Sequence, residues 1–192
     1  MTYLCNQSDA FVDEMIQGFV AAHRGRILPV EGGVICGHKA KPGQVVVIIG
    51  GGSGHYPAFA GLVGPGLAQG AAMGNVFASP STQQIYNVAL AANAGGGIMF
   101  CYANYAGDVL NFTQAQARLQ ERGIDVRAAV VTHDIASATI IERHLRRGIA
   151  GALPVFKAAA AAAEAGKNLE EVYRIATEAN HRVRTLGVAF SG

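Results

Sequence analysis

Residues 45–49, Val-Val-Val-Ile-Ile, run straight into Gly50-Gly51-Gly52-Ser53-Gly54-His55, and no other stretch so narrows what this chain can fold into. An unbroken run of β-branched residues has no polar face to turn to water. It therefore predicts a strand buried on both sides, the situation of a parallel strand covered by helices. In open α/β sheets ligands collect where loops leave the carboxyl ends of such strands, and glycines there let backbone N–H groups approach a small polar ligand. A second apolar run, residues 97–102, ends in Asn104-Tyr105-Ala106-Gly107-Asp108. Two strand ends thus present chemistry to one edge, with His55 and Asp108 as the titratable groups.

The remaining pattern extends this reading. Helical periodicity is expected from Phe11 to His23 behind an N-cap at Ser8-Asp9, over residues 58–63 as a turn or two, from Ser81 to about Ala94, and over residues 106–122. Strands are expected at 27–30, 34–36, 45–49, 71–77, 97–102 and 126–131. Strand and helix alternate from Val45 onward, which implies a mostly parallel sheet flanked by helices on both faces, a three-layer α/β sandwich. Residues 138–147, 153–165 and 169–184 favour helix, and 186–190 offer one further strand. With 192 residues, 51% of them hydrophobic, the chain is expected to form a single α/β domain over 1–192. An ending at Ser191-Gly192, directly after an apolar run, is what the N-terminal portion of a longer protein would have.

Charge and cysteine usage exclude several classes. The net charge is +2 with basic residues scattered, and the densest cluster, residues 143–147, reads as a solvated helix face rather than a nucleic-acid footprint. The alanine run 158–163 is too short to span a bilayer and reads as helix packing, and the polar N-terminus lacks a secretory pattern, so a cytoplasmic protein is expected. Three widely spaced cysteines, Cys5, Cys36 and Cys101, point to buried reduced thiols. No metal-ligand spacing involves His23, His38, His144 or His181.

Familiar readings of the glycine loop fail. No Gly-Lys follows it, so it is not a phosphate-binding P-loop. His55 stands where a dinucleotide fingerprint needs its third glycine, and no acidic residue follows about twenty positions on. The same histidine blocks the sharp turn of a GxSxG nucleophile elbow, which leaves Ser53 a turn residue.

Four ordered blocks resemble the substrate-binding subunit of dihydroxyacetone kinases, the DhaK type. They are Gly50-Gly51-Gly52-Ser53-Gly54-His55 with Pro57 and Ala60-Gly61, Gly74-x-Val76-Phe77-Ala78-Ser79-Pro80, Asn104-Tyr105-x-Gly107-Asp108-x-x-Asn111-Phe112, and Arg147-Gly148-Ile149-Ala150-Gly151. The ending Leu186-Gly187-Val188-Ala189-Phe190 resembles the family as well. The resemblance implies a module that binds a small ketose, with Gly52, Ser53, Gly54, His55 and Asp108 as substrate-binding residues and His55 and Asp108 as the acid-base pair. It implies no cofactor bound by this chain. The phosphate donor would be ATP on another domain, or a phosphorylated partner bearing ADP and Mg, such as a DhaL-type subunit. It also implies a homodimer, and a covalent substrate-anchoring histidine in the family lies beyond Gly192.

The residues themselves suit these roles. Phosphoryl transfer to an alcohol needs an oriented hydroxyl and a group to accept its proton, and a short carboxylate at a strand-to-helix junction can be that base. Asp108 could instead cap the helix that follows, His55 could pin the loop, and His133-Asp134 could line the same edge or cap a helix after Ile135. Three positions depart from the family pattern: Ala103 for a lysine, Tyr56 for a glutamate and Phe59 for a second histidine. Their loss of polarity suggests a differently shaped acceptor, for instance a four-carbon ketose such as erythrulose. A non-catalytic ketone-binding sensor is the alternative to a kinase component.

Overall fold

The computed structural model describes residues 6–190, which build one six-stranded mixed sheet with helices on both faces. The strands are β1 (Ile27–Val30), β2 (Gly33–Cys36), β3 (Val46–Gly52), β4 (Gly70–Gly74), β5 (Ile98–Ala103) and β6 (Val126–Val131). Their order is β1-β2-β4-β3-β5-β6. The four strands β4, β3, β5 and β6 run parallel, while β1 and β2 form an antiparallel edge. The helices are α1 (Phe11–Ala22), α2 (Thr82–Ala92), α3 (Ala106–Gln120), α4 (Ala152–Glu164) and α5 (Leu169–Arg182).

Strand alternation sorts the core into two layers. Val45, Val47 and Ile49 of the β3 region pack with Met99, Cys101, Val155, Phe156, Ala160 and Val172 on the face covered by α1, α4 and α5. Val46 and Ile48 pack with Phe100, Ile85, Val88, Phe112 and Leu119 under α2 and α3 on the other. Every residue of β3 is buried, as the β-branched run requires. Ala159, Ala160, Ala162 and Ala163 are buried in α4, so the alanine run is helix packing. Ser81 and Asn168 each close a capping box, with Gln84 and Glu171, which sets the starts of α2 and α5.

Five expectations are corrected. Ser8 does not cap α1: residues Ser8–Ala10 form a 3-10 turn, and the N-cap is Ala10, without a side-chain bond. The strand expected over 71–77 stops at Gly74, because the carbonyls of Asn75 and Val76 accept from the glycine loop and the Ala78 N–H closes a turn onto Asn75. Residues 138–147 are not a helix. The carbonyls of His144 and Arg146 accept from the Asn104 side-chain amide at 3.0 and 2.8 Å, and the Ala138 carbonyl accepts from Arg146 Nε, so helical N–H groups do not take them. Only Arg143–Leu145 forms a 3-10 turn. For the same reason residues 143–147 are no solvated helix face, since Arg146 is only 5% exposed. Residues 186–190 form no strand; a single bridge joins Thr185 to Asp134, and the apolar side chains beyond it are exposed.

Cys36 and Cys101 are buried free thiols, whereas Cys5, Ser191 and Gly192 lie outside the described residues. Among the described residues no helix is long and apolar enough to cross a membrane. Nor do they hold a cluster of three or more His, Cys, Asp and Glu side chains able to bind a metal.

Candidate functional site

Where β3 and β5 end side by side, the chain leaves a cavity of about 340 Å³ whose lining includes Gly51, Gly52, His55, Tyr105 and Asp108. Its placement follows from the register. Ile49 pairs with Cys101, so the glycines after Ile49 and the residues after Tyr102 emerge at the same edge. Residues 148–150 and Leu153 and Phe156 of α4 close the far side, and Ala58, Phe59 and Leu62 supply an apolar floor.

Asp108 is the third residue of α3, whose N-cap is Tyr105 and carries no side-chain cap bond, so Asp108 does not serve as the cap. It is 9% exposed, and its Oδ1 is buried without a hydrogen-bond partner among the described residues. A buried acceptor without a donor, on a residue that lines a cavity, is a place for a ligand hydroxyl. Burial pushes the Asp108 carboxyl above the usual carboxylate value of 3.8, while the nearby Ser79 hydroxyl and His55 pull it back down. Both side chains line the same cavity. The first turn of α3 favours the ionised carboxylate in addition.

His55 ends a 3-10 turn, Ser53–His55, and is exposed. Its ring stands edge-on to Phe59 at 6.1 Å and to Phe77 at 6.4 Å, which aims it without burying it. Phe59 in turn lies against Gly51, where any side chain would strike its ring.

The glycine loop contributes less backbone than its composition suggests. Gly52 lines the cavity, but Ser53 and Gly54 do not, because their N–H groups donate to the carbonyls of Asn75 at 3.2 Å and Val76 at 2.6 Å. Ser53 is buried, and Gly54 is small because Phe77 and Val76 crowd it. Of the positions that depart from the family pattern, Ala103 and Phe59 line the cavity and Tyr56 does not; Tyr56 is exposed, 6.2 Å from the Phe19 ring. His133 also lies elsewhere. It is fully buried, with Nδ1 2.7 Å from Thr185 Oγ1, while Asp134 accepts from the Ala136 N–H in a turn with no helix behind it. Leu62, Leu153 and Phe156 went unmarked in the sequence, because an apolar residue at helical spacing looks the same whether it faces a core or a cavity.

The Dak1 domain model matches residues 17–192. L-erythrulose kinase of Pectobacterium atrosepticum is 58% identical over the whole of this chain, which covers 32% of that protein. The dihydroxyacetone-binding subunit DhaK of PTS-dependent dihydroxyacetone kinase 1 from Listeria innocua is 42% identical over the whole chain, which covers 58% of it. The crystal structure of the dihydroxyacetone kinase from C. freundii in complex with AMP-PNP and Mg2+ matches 94% of this chain, and 34% of its own, with a TM-score of 0.86 and 34% identity. The chain thus spans between about a third and somewhat over half of the curated relatives named here.

Proposed function

The chain belongs to the Dak1 family, and on that premise we propose that it is the ketose-binding part of a kinase, holding a small ketone for phosphorylation by a separate nucleotide-bearing domain or DhaL-type subunit. The observation that carries this reading is the meeting of His55 and Asp108 at one cavity of about 340 Å³, with a buried, unpartnered carboxylate oxygen. In the transfer step the ketose hydroxyl oxygen attacks the terminal phosphorus of the donor. Its proton passes to Asp108, and the donor's bridging oxygen leaves with the bond electrons. His55 holds a second ketose hydroxyl and steadies the charge on Asp108. The reading carries with it a cytoplasmic homodimer.

A four-carbon ketose is favoured over dihydroxyacetone. The relative named as an L-erythrulose kinase shares more residues with this chain than the DhaK subunit does, and Ala103 and Phe59 give an apolar lining where the family pattern has a lysine and a histidine. The test is phosphate transfer by the whole protein with its donor partner, comparing erythrulose and dihydroxyacetone by kcat/KM. Erythrulose is expected to be the better acceptor, and Asp108→Ala to abolish transfer to both. Ketose binding without any transfer would mark a sensor instead.

A further inference from the structure

Phosphoryl transfer needs positive charge beside the migrating group, yet the cavity lining contains no lysine and no arginine. The guanidinium packed against that lining belongs to Arg147. Its carbon lies 5.0 Å from the centroid of the Tyr105 ring, and Tyr105 lines the cavity three residues before Asp108, in the turn that begins α3. The residue after it, Gly148, lines the cavity too. The backbone of Arg147 is pinned on both sides: its N–H donates to Ser137 Oγ at 2.9 Å and its carbonyl accepts from Asp134 N–H at 3.0 Å. The side chain is exposed, and its one hydrogen bond among the described residues, from Nη1 to the Asn104 carbonyl, is long at 3.4 Å. The ion pairs among the described residues are Arg127–Glu170, Lys167–Glu171 and Arg182–Glu178, so no carboxylate of the described residues forms an ion pair with it.

We infer that Arg147 is the contact of this site for a phosphate group, receiving the phosphate oxygens of the incoming donor and of the phosphorylated ketose before it leaves. The inference rests on the ketose-kinase reading and adds to it the residue that meets the anion. An aromatic ring beneath the guanidinium holds its plane in place and leaves its outer N–H edge free, the arrangement suited to a two-point contact with phosphate.

The test uses the whole protein with its donor partner and compares wild type, Arg147→Ala and Arg147→Lys. Two quantities are read: the ketose dissociation constant without donor, and inhibition by the phosphorylated ketose. Arg147→Ala is expected to weaken the phosphate ester by about tenfold to a hundredfold, the cost of a charge-assisted contact, with ketose binding unchanged. Arg147→Lys is expected to recover part of the loss, since the charge returns without the planar fork. Intact ketose binding with equal inhibition in wild type and Arg147→Ala overturns the inference alone. Equal weakening of ketose and phosphate ester also overturns it, because that is the mark of a structural role. No ketose binding by the wild type overturns the kinase reading and this inference with it.

Discussion

Asp108 is held in a state that suits a base and costs the fold. Burial raises its pKa, so between the ordinary value of 3.8 and the folded value the native state keeps a proton that the unfolded chain has lost. Stability contributed by this group therefore falls as pH rises through that window. Asp108→Asn is expected to lower kcat by about a hundredfold to ten-thousandfold. It is also expected to raise the melting temperature at pH 7 by about 2–4 °C, the equivalent of roughly 1 kcal/mol in a chain of this length. Calorimetry from pH 7 to pH 4 checks the sign, for the gain should shrink toward acid. Cys101 gives a second check at this scale: burial pushes its thiol up to about 12, so a disulfide reagent at pH 8 should leave it unmodified until denaturant is added. His55 and Asp108 were legible because each follows an apolar run with a glycine beside it. The idle backbone of Ser53 and Gly54 was not, since whether an N–H is free depends on Asn75 and Val76, which only the crossover brings near.

Elements were legible where their partners are local. The β3 run, the alternation of faces and the capping box at Ser81 are all written within a few residues of themselves. Residues 138–147 have helical composition, but the donor that takes their carbonyls is Asn104, at the end of a different strand. A pattern read along the chain does not contain that contact. Asn104→Ala removes both bonds and should destabilise the protein by about 1–2 kcal/mol. It should also weaken ketose binding, because residues 148–150 line the cavity directly after the released segment. Gly148 is fixed from the other side. A Cβ there would stand 2.8 Å from the Val131 carbonyl oxygen and 2.9 Å from Ala103 Cβ. A backbone oxygen of β6 cannot give way cheaply, so Gly148→Ala should cost about 1–3 kcal/mol and move the lining. Urea midpoints and ketose titration measure both effects, and loss of stability with unaltered ketose affinity would show that the segment does not shape the cavity.

On the scale of the molecule, the candidate site is the place where the two layers meet at the sheet edge. Phe59, Leu62 and Phe156 come to it from the cluster under α1, α4 and α5, whereas Asp108 rides on α3, whose Phe112 belongs to the opposite cluster. The sheet end must therefore stay closed for His55, Asp108 and the apolar floor to line one cavity. One of its closures is pH-sensitive. His133, at the end of β6, is fully buried and meets Thr185, beyond α5, through Nδ1, while its Nε2 has no partner among the described residues. Burial lowers its pKa from 6.5 and the neighbouring Asp134 raises it in lesser measure. Above pH 6.5 the imidazole is neutral in both states. As pH falls below that value the unfolded chain takes up the proton first, and the stability contributed by neutral His133 is lost down to its folded value. This is opposite in sign to the effect of Asp108, whose window opens upward from 3.8, so variants of each residue are needed to separate the two. His133→Asn, which can still bond Thr185, should flatten the acid side: as pH falls below 6.5 its melting temperature should fall less than that of the wild type, and on the way down to pH 4 Asp108→Asn should fall more. Parallel curves for all three proteins would mean that neither burial survives in solution.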